Sequence, residues 1–129
     1  MKKILGIGVD IINNKRINLL IKKKIFLKRT FGKNELKLSY KMKNKTNYFA
    51  KRFAAKESMA KSIGTGFRDN LNLKDIEILN DKLGKPYFLK SKKIDNIIKK
   101  KFRVKKYDLF LSISDEKKYS VAFTILQAK

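Results

Sequence analysis

Two carboxylates in this sequence stand where carboxylates are expensive. Asp10 interrupts the apolar run over residues 4–12, and Glu57 falls on the Phe53, Ala54, Ala60 stripe of a helix that should face the core. A buried carboxylate is costly unless it is paired or coordinates a cation. The chain contains no Cys and no His. That removes thiol and imidazole nucleophiles, imidazole general bases and ordinary zinc sites. A metal held here must take oxygen ligands, which points to a hard cation, Mg²⁺ foremost. The plainer reading gives each acid a lysine partner, and Lys61, one turn beyond Glu57, can serve as that partner alone.

The tract Ser62-Ile63-Gly64-Thr65-Gly66 follows the Glu57 helix directly. Glycines around a small hydroxyl residue let backbone N–H groups approach phosphate oxygens closely, although a plain helix cap and turn explains the same residues. The tract closes a helix instead of opening one, so the helix dipole gives an anion no help there. A phosphate at this place needs a cation and Lys61. Together, a strand and a helix offer two acids, a hard cation bridges them to a diphosphate, and Lys61 with the glycine turn holds the remaining charge. Positioning and charge neutralisation are the main needs of phosphoryl-group transfer.

The elements that must position these groups follow from periodicity. Residues 4–12 read as a strand with Leu5, Ile7, Val9 and Ile11 on one face and Gly6, Gly8 and Asp10 on the other. Asn13-Asn14 offers a helix cap, followed by helical pattern through Ile17, Leu20 and Ile21. A second short helix spans residues 26–31 and stops at Gly32, and Asn34 can cap a third. The strongest helix runs over residues 46–63, capped by Thr46 or Asn47 and stopped by Gly64. Residues 76–79 and 86–89 form a hairpin around a turn-rich connection. Ser91 caps a further helix, and a hairpin of residues 109–114 and 119–126 ends the chain. Strands at both ends with helices between predict one α+β domain over residues 1–129, its sheet largely antiparallel with helices packed against it. The remaining acids, Glu35 and Glu77 among them, fit caps, turns, first helical turns or outward strand positions.

Length and composition agree with a folded domain: 129 residues, 43% hydrophobic. No secretory signal and no membrane-length apolar run are apparent, so a cytoplasmic protein is expected. The net charge of +23, from 34 Lys+Arg against 11 Asp+Glu, implies a polyanionic partner. The Lys, Asn and Ile content of AT-rich codons is a competing source of the same charge.

Four stretches, in order and spanning nearly the whole chain, are similar to the signatures of bacterial holo-[acyl-carrier-protein] synthases, the small trimeric 4′-phosphopantetheinyl transferases. They are Gly6-Ile7-Gly8-Val9-Asp10-Ile11, the stretch from Arg52 through Lys56-Glu57 to Gly66, Leu83-Gly84-Lys85-Pro86-Tyr87, and Leu111-Ser112-Ile113-Ser114-Asp115 through Ser120. The resemblance implies a 4′-phosphopantetheinyl transferase fold and active sites between neighbouring subunits of a homotrimer. It implies transfer of the 4′-phosphopantetheine group from coenzyme A to a serine of apo acyl carrier protein, in support of fatty acid biosynthesis. By position, Asp10 and Glu57 match the magnesium ligands and Lys61 matches the lysine on the diphosphate. Arg52, Phe53, Gly64, Thr65, Gly66 and Pro86 match residues lining the coenzyme site. Arg16 matches a first-helix arginine that contacts the carrier, and Lys22, Lys23 and Lys24 extend a basic face suited to an acidic partner. Many relatives carry histidine where this chain has Asp115, so the group that takes the serine proton is open between Glu57 and a metal-bound water.

The main alternative is a small RNA- or ribosome-binding protein, favoured by charge and by Tyr40, Tyr48, Tyr87 and Tyr119 as stacking surfaces. It leaves Asp10 and Glu57 unexplained, and no RNA-binding signature is present, so no nucleic-acid partner is expected.

Overall fold

The computed structural model describes residues 2–64 and 70–129; Thr65 and Gly66 of the glycine tract lie outside them. The chain opens on β1 (Lys3–Asn13), whose alternation is the one read from sequence from Gly6 onward; an irregularity between Ile4 and Gly6 turns Leu5 towards the core and leaves Ile4 exposed instead. Asn13 caps α1 (Asn14–Leu20) by accepting a hydrogen bond from the Lys15 N–H. Next come α2 (Lys24–Thr30) and α3 (Lys33–Ser39). The third helix is not capped by Asn34. Gly32 occupies that position, with Glu35 reaching back to its N–H, while Glu77 accepts from the N–H groups of Asn34 and Glu35. The long helix α4 (Lys45–Ile63) starts one residue earlier than the pattern suggests, because Asn44 caps it through the Asn47 N–H. Gly64 ends it at φ 86°, a left-handed conformation that glycine adopts without strain.

A short 3-10 turn (Leu73–Asp75) leads into the hairpin of β2 (Ile78–Asn80) and β3 (Pro86–Phe88). Ser91 caps α5 (Lys92–Phe102), as its spacing predicts. The chain finishes with β4 (Tyr107–Asp115) and β5 (Tyr119–Ala128). The sheet is antiparallel throughout but divided: β1-β5-β4 forms one sheet, and β2-β3 a separate ribbon.

Helix α4 packs across one face of the larger sheet. Its Ser58 and Ser62 meet the sheet, and Ala50, Ala54 and Ala55 share the core with Ala122 and Leu126 of β5. The bare face of β1 is what permits this closeness. A Cβ at Gly6 would overlap the Ser62 carbonyl, and one at Gly8 the Ser58 carbonyl. The glycines therefore set the distance between strand and helix, and so between Asp10 and Glu57. The apolar face of β1 points the other way: Ile7 is 60% and Ile11 61% exposed.

The deepest charges are not the two singled out by sequence. Glu35, read as an ordinary first-turn acid, is fully buried and paired with Lys56, also fully buried, at 2.5 Å. Lys56 also donates to the carbonyls of Leu73 and Ile76, and Glu35 accepts from the N–H groups of Gly32 and Ile78. This knot ties the middle of α4, one residue before Glu57, to α3 and to the start of β2. Among the described residues no helix is long and apolar enough to cross a membrane.

Candidate active site

Asp10 lies on the α4-facing side of β1, opposite Ala122 of β5. Lys61 reaches across from α4 and donates to the Val9 carbonyl at 2.9 Å and to the Asp10 carboxylate at 3.3 Å. Lys61 thus pairs with Asp10 and not with Glu57, the partner its helical spacing suggested. Among the described residues Glu57 has no ion pair, although it is half-buried. Burial, and then the neighbouring Asp10, push the Glu57 carboxyl above the usual range, with Lys61 and Arg16 opposing. Burial likewise raises Asp10, against the pull of Lys61 and Arg16. One strand and one helix therefore hold two mutually repelling carboxylates, with two cations around them.

That arrangement fits a divalent cation. Two half-desolvated carboxylates side by side are each stabilised by an ion between them. A Mg²⁺ site of one or two carboxylates completed by water and substrate phosphates is the usual pattern. Among the described residues no cluster of three or more His, Cys, Asp or Glu side chains gathers anywhere, so a cation here would take Asp10 and Glu57 from the described residues and complete its shell from elsewhere. The end of α4 at exposed Gly64 lies two turns beyond Glu57.

The expected coenzyme-lining residues divide into two groups. Gly64 stands with Lys61 at the end of α4, whereas Arg52 and Phe53 lie towards its other end. Arg52 is 5% exposed; its guanidinium donates to Asn80 and to the Tyr48 carbonyl and stacks over the Tyr48 ring at 3.7 Å. Its Nε is buried without a partner among the described residues. Asn80 in turn donates to the Gly84 carbonyl in the β2-β3 turn and pairs in register with Pro86. Arg52 thus locks the Pro86 hairpin to α4. Phe53 is buried and stacks on Phe26 at 6.1 Å. Asp115 accepts from Asn47 at 2.5 Å. Asn47 is in the first turn of α4, about 15 Å of helix from Glu57, so one chain does not bring Asp115 to the acid pair. Arg16, Lys22, Lys23 and Lys24 are all exposed, along α1 and the start of α2.

Sequence reasoning missed two groups near the site. One is the Lys56–Glu35 pair behind Glu57; its signal was a lysine on the buried side of a helix. The other is Lys101 of α5, whose ammonium donates to the Ile63 carbonyl at 2.5 Å. Nothing in the local sequence brings it to the glycine turn.

The family described as the 4′-phosphopantetheinyl transferase superfamily matches residues 6–124. The holo-[acyl-carrier-protein] synthase of Pelagibacter ubique is 58% identical over 127 residues, which cover 98% of this chain and 99% of that one. Among solved structures, the holo-[acyl-carrier-protein] synthase of Neisseria meningitidis has a TM-score of 0.86 at 36% identity, covering 96% of this chain and 98% of the other. The Bacillus anthracis enzyme, solved in complex with CoA (3′,5′-ADP), has a TM-score of 0.81 at 34% identity, covering 98% of each. These likenesses favour the transferase reading of the residues and offer nothing to the RNA-binding alternative. The chain belongs to the 4′-phosphopantetheinyl transferase superfamily.

Proposed function

We propose that this protein is a holo-[acyl-carrier-protein] synthase that acts in the cytoplasm, supplying holo carrier for fatty acid biosynthesis. It transfers the 4′-phosphopantetheine group of coenzyme A to a serine of apo acyl carrier protein. The observation that carries this reading is the meeting of Asp10, Glu57 and Lys61 across β1 and α4, two turns from Gly64. Asp10 and Glu57 would hold Mg²⁺, which when bound neutralises diphosphate charge. Lys61 is exposed enough to turn from Asp10 to a phosphate oxygen. The serine oxygen bonds to the β-phosphorus, the bond from that phosphorus to the bridging oxygen breaks, and adenosine 3′,5′-bisphosphate leaves with the electron pair. We assign the serine proton to Glu57, which has no ion pair among the described residues.

The carrier would dock on α1 and α2. Arg16, Lys22, Lys23 and Lys24 there surround the exposed apolar side chains Leu19 and Ile25, a mixture suited to an acidic helical partner. The homotrimer has its own support. Ile7, Val9 and Ile11 of β1 register with Ile125, Phe123 and Val121 of β5, and Ile125 in turn with Phe110 of β4. These outward side chains make one continuous apolar sheet face, too large a feature to leave in water on a monomer. Second copies of this chain are its proposed occupants.

Incubation with Mg²⁺, coenzyme A and apo acyl carrier protein should raise the carrier's mass by one phosphopantetheine group, and a chelator should prevent it. No mass gain with any acyl carrier would sink the activity. Phe123→Glu should shift the sedimentation of the protein to that of a monomer; an unchanged trimer, or a monomeric unaltered protein, would refute the interface.

A further inference from the structure

Lys101 belongs to the last turn of α5 and reaches the last turn of α4, where its ammonium donates to the Ile63 carbonyl at 2.5 Å. A helix C-terminus carries about half a negative charge, in carbonyls left without partners. Glycine gives close backbone approach at the end of α4, but the electrostatics of a helix C-terminus oppose an anion. A diphosphate at Gly64 must overcome that repulsion.

Lys101 is placed to cancel it. Its ammonium lies 3.1 Å from where a Cβ on Gly64 would stand. It therefore covers the same bare Cα that leaves room for a phosphate. It occupies the Ile63 carbonyl, removing one of the oxygens a phosphate would meet, and sets a positive charge against the half-charge of the α4 terminus. The ammonium has three donors. One is on Ile63, and among the described residues the others have no hydrogen-bond partner. Its position is held from the far side by α5, whose Ile94 and Ile98 are buried in the core.

We propose that Lys101 is a positioning residue for the coenzyme: it converts a helix C-terminus from an anion-repelling end into a diphosphate-accepting one. This rests on the reading that the diphosphate sits at Lys61 and Gly64. It assigns α5 a part in coenzyme binding that its lysine-rich sequence alone, with Lys99, Lys100, Lys101 and Arg103 in a row of solvated charge, does not single out.

The test compares the full-length protein with Lys101→Met, Lys101→Arg and Lys61→Met, all with Mg²⁺ present. Coenzyme A is titrated calorimetrically, and KM for coenzyme A, KM for the carrier and kcat are measured separately. Lys101→Met should weaken coenzyme A binding about tenfold, the size of a helix-end charge effect. Carrier KM and kcat should stay within about twofold, and Lys101→Arg should restore the affinity. A purely structural cap would lower thermal stability without this split. Coenzyme A affinity unchanged in Lys101→Met, with Lys61→Met weakened, overturns the inference alone. Affinity unchanged in both variants overturns it together with the placement of the diphosphate. Equal losses in both KM values that Arg does not rescue also overturn it.

Discussion

Replacing Lys56 by Met tests how α4 is held behind the site. Methionine is close to lysine in length and apolar, so it leaves little cavity, and the loss is electrostatic. The variant removes the partner of a fully buried carboxylate and strips hydrogen bonds from the carbonyls of Leu73 and Ile76. Among the described residues Glu35 keeps only the N–H groups of Gly32 and Ile78 on its carboxylate. Breaking a buried pair by removing one member costs about 3–5 kcal/mol, a large part of the roughly 5–15 kcal/mol that holds a domain together. The cost depends on pH. Burial already raises the Glu35 carboxyl above its ordinary value against the pull of Lys56, and loss of that pull raises it further. A carboxyl raised on folding is least harmful below its unfolded value, and its cost grows as pH climbs through the folded value. Urea denaturation followed by circular dichroism should show the full deficit at pH 7.5 and a smaller one at pH 5. Adding Glu35→Gln should recover part of the deficit at pH 7.5, because the amide oxygen still accepts one of the two N–H groups. A deficit below about 1 kcal/mol at pH 7.5, or one identical at both pH values, would refute the reasoning.

Glu57→Gln should abolish transfer yet raise the melting temperature of the metal-free protein. It deletes a carboxylate that burial and Asp10 disfavour and that has no ion pair among the described residues. Because that carboxyl is raised on folding, the gain should be present at pH 7.5 and fade as pH falls through the carboxylate range; a destabilised variant would contradict this. Arg16→Glu should raise the carrier KM several-fold at low salt, less at high salt, and leave coenzyme A affinity within about twofold; a carrier KM that does not move removes α1 from the docking face. Gly8→Ala should cost about 1–3 kcal/mol, since its Cβ has to displace the Ser58 carbonyl of α4; a neutral melting temperature would show that β1 and α4 can separate freely.

What the sequence made legible was local or bound to motif. Ser91 and Gly64 mark their helix ends through side-chain and backbone preferences that need no tertiary partner. The strand and helix carrying Asp10 and Glu57 follow from periodicity, and the four stretches shared with the family named what periodicity alone leaves open. What stayed hidden depends on elements far apart in the chain. Glu35 reads as a dipole-favouring first-turn acid because its partner, Lys56, is 21 residues away. Lys61 had two acids within reach, and only the register of β1 against α4 decided for Asp10. Lys101 is 38 residues from the carbonyl it holds.

The β1 strand holds the most instructive difference. Its two-residue alternation says that one face is apolar and the other nearly bare, but not which face the helix covers. Burial by side-chain type would turn Ile7, Val9 and Ile11 inward. Backbone packing decides otherwise: α4 brings Ser58 and Ser62 against the strand only over Gly8 and Gly6, and that leaves the apolar face outward. Turning β1 over would expose Gly6 and Gly8 and wedge isoleucines under the helix, separating the strand from α4 and Asp10 from Glu57. The site therefore requires the bare face inward, and the outward apolar face is the consequence. A second chain covering that face would recover the burial that the first gives up for its acid pair. The two sides of the same strand alternation, the acid pair on one and the exposed apolar face on the other, cannot be separated by mutation of the glycines alone.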